Sequence, residues 1–247
     1  MMTNISSSVK VMLDITAKAS RFLSRDYYEL KSLQSSKKST QTFVDRCLDK
    51  MSKVIVNELE RSRPEYGVSA LGIEKESQNE EKSKWLVNIM SGERNLSHAI
   101  PCIGMSVAIE EEIYGKKELV ASLICFPILD ETYFAEKGKG SWFIGSMGQH
   151  GATSRLRVSE RRNADSLLII SHNDRAAEKD SVRDFGCDLL SCAYVASGRA
   201  DIAKIDGSSY HDVAAGILLI QEAGGMVQND SGHSMIISNS HLGGSRK

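Results

Sequence analysis

The chain has 247 residues and a formal charge of −1, with acidic and basic residues interspersed, so no global field points to nucleic acid or to a membrane. That length can bury a substantial core, as one large domain or two closely joined halves, without covalent staples. Cys47, Cys102, Cys125, Cys187 and Cys192 are odd in number, mostly flanked by apolar residues and never arranged as CxxC, so they read as reduced core thiols. No apolar run approaches the roughly 20 residues of a membrane span, and MMTNISSSVKVML lacks a signal-peptide core. The expected compartment is the cytoplasm.

Met12, Ile15, Ala19, Phe22 and Leu23 recur at helical spacing behind the Ser6 to Ser8 cluster, which predicts a first packing helix over Ser8 to Leu30. Lys31 to Gln41 is polar and reads as a loop. Val44, Leu48, Met51, Ile55 and Leu59 then define a second packing helix that stops before Pro64, with Asp45 in its first turn, where the dipole favours a carboxylate. Gly67 to Lys84 is short of apolar residues and dense in charge, and reads as a solvated loop.

Lys84 to Pro101, KWLVNIMSGERNLSHAIP, is the most informative stretch. Trp85, Leu86 and Val87 read as a short buried strand, and Ser91-Gly92 breaks it as a turn. If a short helix follows, the Gly92 and Glu93 amides form an anion site, surrounded by Asn88, Ser91, Glu93 and Arg94. Ile103 to Ile109, Leu119 to Phe126 and Thr132 to Glu136 then form an antiparallel meander. Arg155 to Ser159 alternates as an edge strand, and Leu167 to Ser171 is a short buried strand. A helix over Cys187 to Ser197 stops at Gly198. A polar entry, Ser208 to Asp212, leads into an apolar helix over Val213 to Ala223, so that Asp212 points out of a helix start.

Several of these stretches, in this order, carry a resemblance. Arg183-x-x-Gly186, Ala193-Tyr194-Val195-Ala196-Ser197-Gly198-Arg199-Ala200-Asp201, Asp212-Val213-Ala214-Ala215-Gly216 and Glu222-Ala223-Gly224-Gly225 are joined upstream by Gly138-Lys139-Gly140, Arg155-Leu156-Arg157-Val158-Ser159 and Thr42-Phe43-Val44-Asp45. Together they resemble the inositol monophosphatase family, especially its bacterial extragenic-suppressor branch. The resemblance implies a layered αβαβα sandwich in one domain, with an α+β half over residues 8–150 and an α/β half over 151–247. It also implies Mg²⁺-dependent phosphomonoester hydrolysis, in which acidic oxygens hold the metal ions and helix-start amides hold the phosphate. A homodimer is expected from the family, and RNA polymerase or an antitermination factor is the partner that the branch implies.

Several positions depart from the family pattern. Asp212 matches a metal-ligand aspartate, with His211 where the family has Trp, and Asp45 matches the aspartate that supports the water-activating threonine. The ligand motif DPxDGTxN becomes Asn88-Ile89-Met90-Ser91-Gly92-Glu93-Arg94-Asn95, so Asn88 and Ser91 replace both aspartates and Glu93 replaces the threonine. Lys75 falls at the metal-ligand glutamate, with Glu74 or Glu76 able to slide in. Asp188 replaces an alanine lining the substrate pocket, and Ile205 replaces a glutamate that contacts the inositol hydroxyls. Losing anionic ligands removes much of the attraction that offsets Mg²⁺ dehydration, so impaired or absent catalysis is expected, with the fold kept for binding or assembly. Two alternatives stand beside that reading. One is an active phosphatase for inositol monophosphate or a related sugar phosphate, using Glu93, Glu74 or Glu76, Asp45 and Asp212. The other is a module that binds a phosphorylated small molecule through the Gly92 and Glu93 amides with Arg94 or Lys75.

Overall fold

The computed structural model describes residues 5–32, 37–70, 73–75, 82–145, 153–163, 166–171, 181–230 and 234–242. Two long helices come first, α1 (Ser7–Ser32) and α2 (Lys37–Ser62). They pack on one face of an eight-stranded sheet ordered β2-β1-β3-β4-β5-β6-β7-β8. Its strands are β1 (Gly67–Ala70), β2 (Ile73–Lys75), β3 (Ser83–Ser91), β4 (Gly104–Ile113), β5 (Lys116–Phe126), β6 (Glu131–Glu136), β7 (Gly140–Ile144) and β8 (Thr153–Arg155). The one-turn helix α3 (Glu93–Ser97) joins β3 to β4. On the other face lie α4 (Asp188–Ala196) and α5 (Tyr210–Glu222). They are covered in turn by a five-stranded sheet ordered β10-β9-β11-β13-β12, built from β9 (Ile169–Ile170), β10 (Val182–Arg183), β11 (Ile202–Asp206), β12 (Met226–Asp230) and β13 (Ser234–Ser238). Helix pair, sheet, helix pair and sheet thus alternate, as the αβαβα expectation requires; its fifth layer falls on no described residue.

The central sheet is buried on both faces, which is why its strands read as continuous apolar runs. Period-two alternation sends Trp85, Val87, Ile89, Val107, Ile109, Leu123 and Phe134 to the α1–α2 core. Leu86, Ala108, Ile124, Tyr133 and Ala135 go to a second core with α4 and α5. All five cysteines are free thiols, four of them buried and Cys102 half-buried. No described helix is long and apolar enough to cross a membrane.

Four local expectations are corrected. The second helix starts at Lys37, not after Gln41, so Asp45 sits more than two turns in, exposed, away from the helix start. Lys and Gln are good helix formers, and hydrophobic periodicity marks only the turns that touch the core. Within Gly67 to Lys84, Gly67–Ala70 is a fully buried strand, paired in parallel with β3 from Gly67↔Lys84 to Ala70↔Val87. Four small or apolar residues carry too short a pattern to reveal a two-sided burial. The edge strand is Thr153–Arg155, Leu156 N–H still donates to Ser141 O of β7, and from Arg157 the chain leaves the ladder: Val158 N–H donates to Ala223 O at the end of α5, and the Ser159 hydroxyl donates to Asp201. Finally, α5 begins at Tyr210, and Asp212 turns back on its own helix start.

Candidate functional site

The expected centre lies where β3 leaves the sheet. Against β4, Asn88 pairs with Ser106 and Ser91 with Gly104, so β3 carries one extra residue in a bulge between them. Asn88 lies on the α5 face of the sheet and is only 8% exposed. Its Oδ1 accepts the Met90 amide at 3.0 Å, which satisfies a donor that the bulge takes out of the ladder. Its Nδ2 donates to the Asp212 carbonyl at 3.1 Å, so both ends of the amide are occupied.

The chain then turns at Gly92, whose φ of 88° is the left-handed region and whose absent Cβ would lie 2.4 Å from the Cys102 carbonyl oxygen. Ser91 Oγ, just before it, meets Cys187 Sγ at 3.4 Å and the Leu189 amide at 3.5 Å. Within α3, Asn95 is buried and its Nδ2 reaches the carbonyls of Cys102 at 2.8 Å and Phe185 at 2.7 Å, with Gly186 O at 3.3 Å. The Ser91–Asn95 corner is therefore hydrogen-bonded to the segment that opens α4. Burial pushes the Cys187 thiol there up to about 11, so it is protonated and unreactive at neutral pH.

The acidic candidates are also spoken for. Asp212 Oδ2 accepts both the Ser209 amide at 3.0 Å and the Ser209 hydroxyl at 2.7 Å, an N-terminal cap for α5. Asp188, in the first turn of α4, accepts the Ser208 hydroxyl. Asp45 accepts Gln41 Nε2 at 3.0 Å, one turn earlier on the same helix. Glu93 and Arg94 are exposed on α3, and the Glu93 carboxylate itself takes the favourable place for negative charge at that helix start. Ile205 is 2% exposed in the second core, where it faces no open site. The side chains of Glu74 and Lys75, and all of Glu76, lie outside the described residues.

The described candidates do not by themselves fit Mg²⁺. The ion requires several hard oxygens converging in near-octahedral geometry. Among the described residues, no group of three or more His, Cys, Asp or Glu side chains could hold a metal ion. Asn88 and Ser91 are turned toward protein donors and acceptors, and the Asp212 carboxylate serves its own helix. Concavities open elsewhere among the described residues. One of about 500 Å³ runs between α1 and the β5–β6 turn, and one of about 320 Å³ lies between α5 and the start of β5; none of the candidate residues lines either.

Sequence reasoning gave no role to Asn95, Ser208 or Ser209. A readable signal existed for Ser209, since Ser-x-x-Asp before an apolar run is a capping pattern. For Asn95 the signal was its match to the last residue of the DPxDGTxN pattern, although its partners at 185 and 186, some ninety residues away, leave no local trace.

The layered architecture agrees with what the chain is similar to. A protein named inositol-1-monophosphatase from Mesorhizobium japonicum is 32% identical over 256 residues, covering 97% of this chain and 92% of that protein. The Nus factor SuhB of Xylella fastidiosa is 28% identical over 236 residues, covering 89% of this chain and 81% of that protein. Among solved structures, the extragenic suppressor protein suhB from Bartonella henselae superposes with a TM-score of 0.79 at 32% identity, covering 96% of this chain and 95% of that one. With a model of the family matching residues 5–246, this chain belongs to the inositol monophosphatase family.

Proposed function

We propose that this chain keeps the inositol monophosphatase fold for binding or assembly and has lost most or all Mg²⁺-dependent phosphatase activity. The observation that carries this reading is the engagement of Asn88. An amide brings no negative charge to balance a dication, and here its oxygen already accepts from Met90 N–H while its nitrogen donates to the Asp212 carbonyl, so at most one neutral lone pair is left for a cation. The described acids do not compensate, because Asp45, Asp188 and Asp212 already accept hydrogen bonds from Gln41, Ser208 and Ser209. Without a metal, Asp188, Asp212 and Glu93 leave the corner acidic, which disfavours a phosphorylated ligand and weighs against the anion-binding alternative.

The partner suggested by the branch resemblance, and supported by relatives named Nus factor SuhB, is RNA polymerase or an antitermination factor. Self-association as a homodimer belongs to the same reading. A second reading, an active phosphomonoesterase with rearranged ligands, is favoured by relatives of 30–32% identity named inositol-1-monophosphatase. Calorimetric titration with Mg²⁺, paired with phosphate release from inositol monophosphate at saturating Mg²⁺, separates the two. The expected result is no stoichiometric binding and no release above a no-enzyme control. Stoichiometric binding with release that Asp212→Asn abolishes would establish the second reading.

A further inference from the structure

The positions that correspond to the family's metal ligands are not idle. Each reaches across from the central sheet to the layer above it: Asn88 to the first turn of α5, and Ser91 to the first turn of α4. Asn95 reaches the Phe185–Gly186 turn that precedes α4. Asn88 and Asn95 are each 8% exposed, so these bonds are shielded from competing water. The carbonyl of Asp212 and the amide of Leu189 sit at helix starts, where a moving helix would have to break them first.

We propose that Asn88, Ser91 and Asn95 form a hydrogen-bonded clasp that holds the β3–α3 corner against the starts of α4 and α5 by neutral side chains, with no cation needed. The inference rests on the metal-free reading above and adds a physical role for the replaced residues. Its logic turns on one atom. An aspartate at position 88 could still accept the Met90 amide through one oxygen. Its other oxygen would face the Asp212 carbonyl oxygen, so an attraction across 3.1 Å becomes a repulsion between two acceptors in a poorly solvated seam. Only a cation or a proton between them would relieve it. Asparagine closes the seam without either.

The test is thermal unfolding of the full chain with native-state hydrogen exchange. The wild-type midpoint is expected to be the same in EDTA and in millimolar Mg²⁺. Asn88→Ala should lower the midpoint by about 3–8 °C, the usual reading of one or two lost buried hydrogen bonds in a chain of this size. Asn88→Asp should lower it further, with the extra deficit shrinking at acid pH as the new carboxyl regains a proton. Ser91→Ala, a milder change, should speed exchange at the Leu189 amide, and Asn88→Ala should do so at Met90. If both Asn88 variants melt with the wild type and those amides stay protected, the clasp is wrong while the metal-free reading stands. If Mg²⁺ binds stoichiometrically and raises the wild-type midpoint, the metal-free reading fails and the clasp falls with it.

Discussion

Gly92 shows how much a single residue can fix at this corner. Its φ of 88° is strained for any residue with a side chain, and the added Cβ would meet the Cys102 carbonyl oxygen, a backbone atom that no rotamer change can move. Gly92→Ala is therefore expected to cost about 2–4 kcal/mol, combining left-handed strain with overpacking, and urea unfolding at neutral pH would measure it. The turn at Ser91-Gly92 was legible in the sequence because glycine after a buried run announces a break. The fate of Asp212 was half legible: its place at a helix start was visible, but the direction of its carboxylate depends on Ser209 adopting the N-cap conformation. Asn95 was marked only as the retained last residue of the DPxDGTxN pattern, and its role was not legible, since a buried amide that bonds three carbonyls leaves no local pattern.

At the scale of elements, α4 and α5 meet through Gly216. A Cβ there would stand 2.5 Å from Cys192 Sγ and 2.7 Å from Cys192 Cβ, so the glycine lets the two helices approach closely. Gly216→Ala gains about 1 kcal/mol of helix propensity but incurs about 1–3 kcal/mol of overpacking, and a net loss of up to about 2 kcal/mol is expected from chemical denaturation. The end of α4 is tied down by buried Asp201. It accepts the Ser159 hydroxyl, the Arg161 guanidinium at 2.8 Å and the Leu168 amide at 2.7 Å, while Arg161 also donates to Gly198 O past the end of α4. Helices and meander strands were readable because their periodicity runs for many residues. The strand β1 was not, being four residues buried on both faces, and neither was the early start of α2, whose first turns carry no apolar stripe.

For the whole molecule, the two cores are the two faces of one sheet, so neither half buries its apolar surface alone. That coupling lets a few buried ionisable groups act on global stability. Burial pushes Cys187 up to about 11, and burial, then Asp26, pushes Cys47 up to about 12, from an ordinary value of 9.0. Between those values the folded chain holds more protons than the unfolded one. Stability from these thiols is thus complete below about pH 9 and is lost as the pH rises toward 11 and beyond. Urea midpoints measured from neutral pH upward should fall above about pH 9, and replacing Cys47 and Cys187 by Ala should flatten that fall. The second sheet has a consequence of another kind. Its order, β10-β9-β11-β13-β12, puts the strand latest in the chain between two earlier ones, and β12 pairs with β13 alone in that sheet. Because β12 and β13 are neighbours in sequence, they can pair with each other without any distant contact, and β13 then carries β12 onto β11 as one ready-made ribbon.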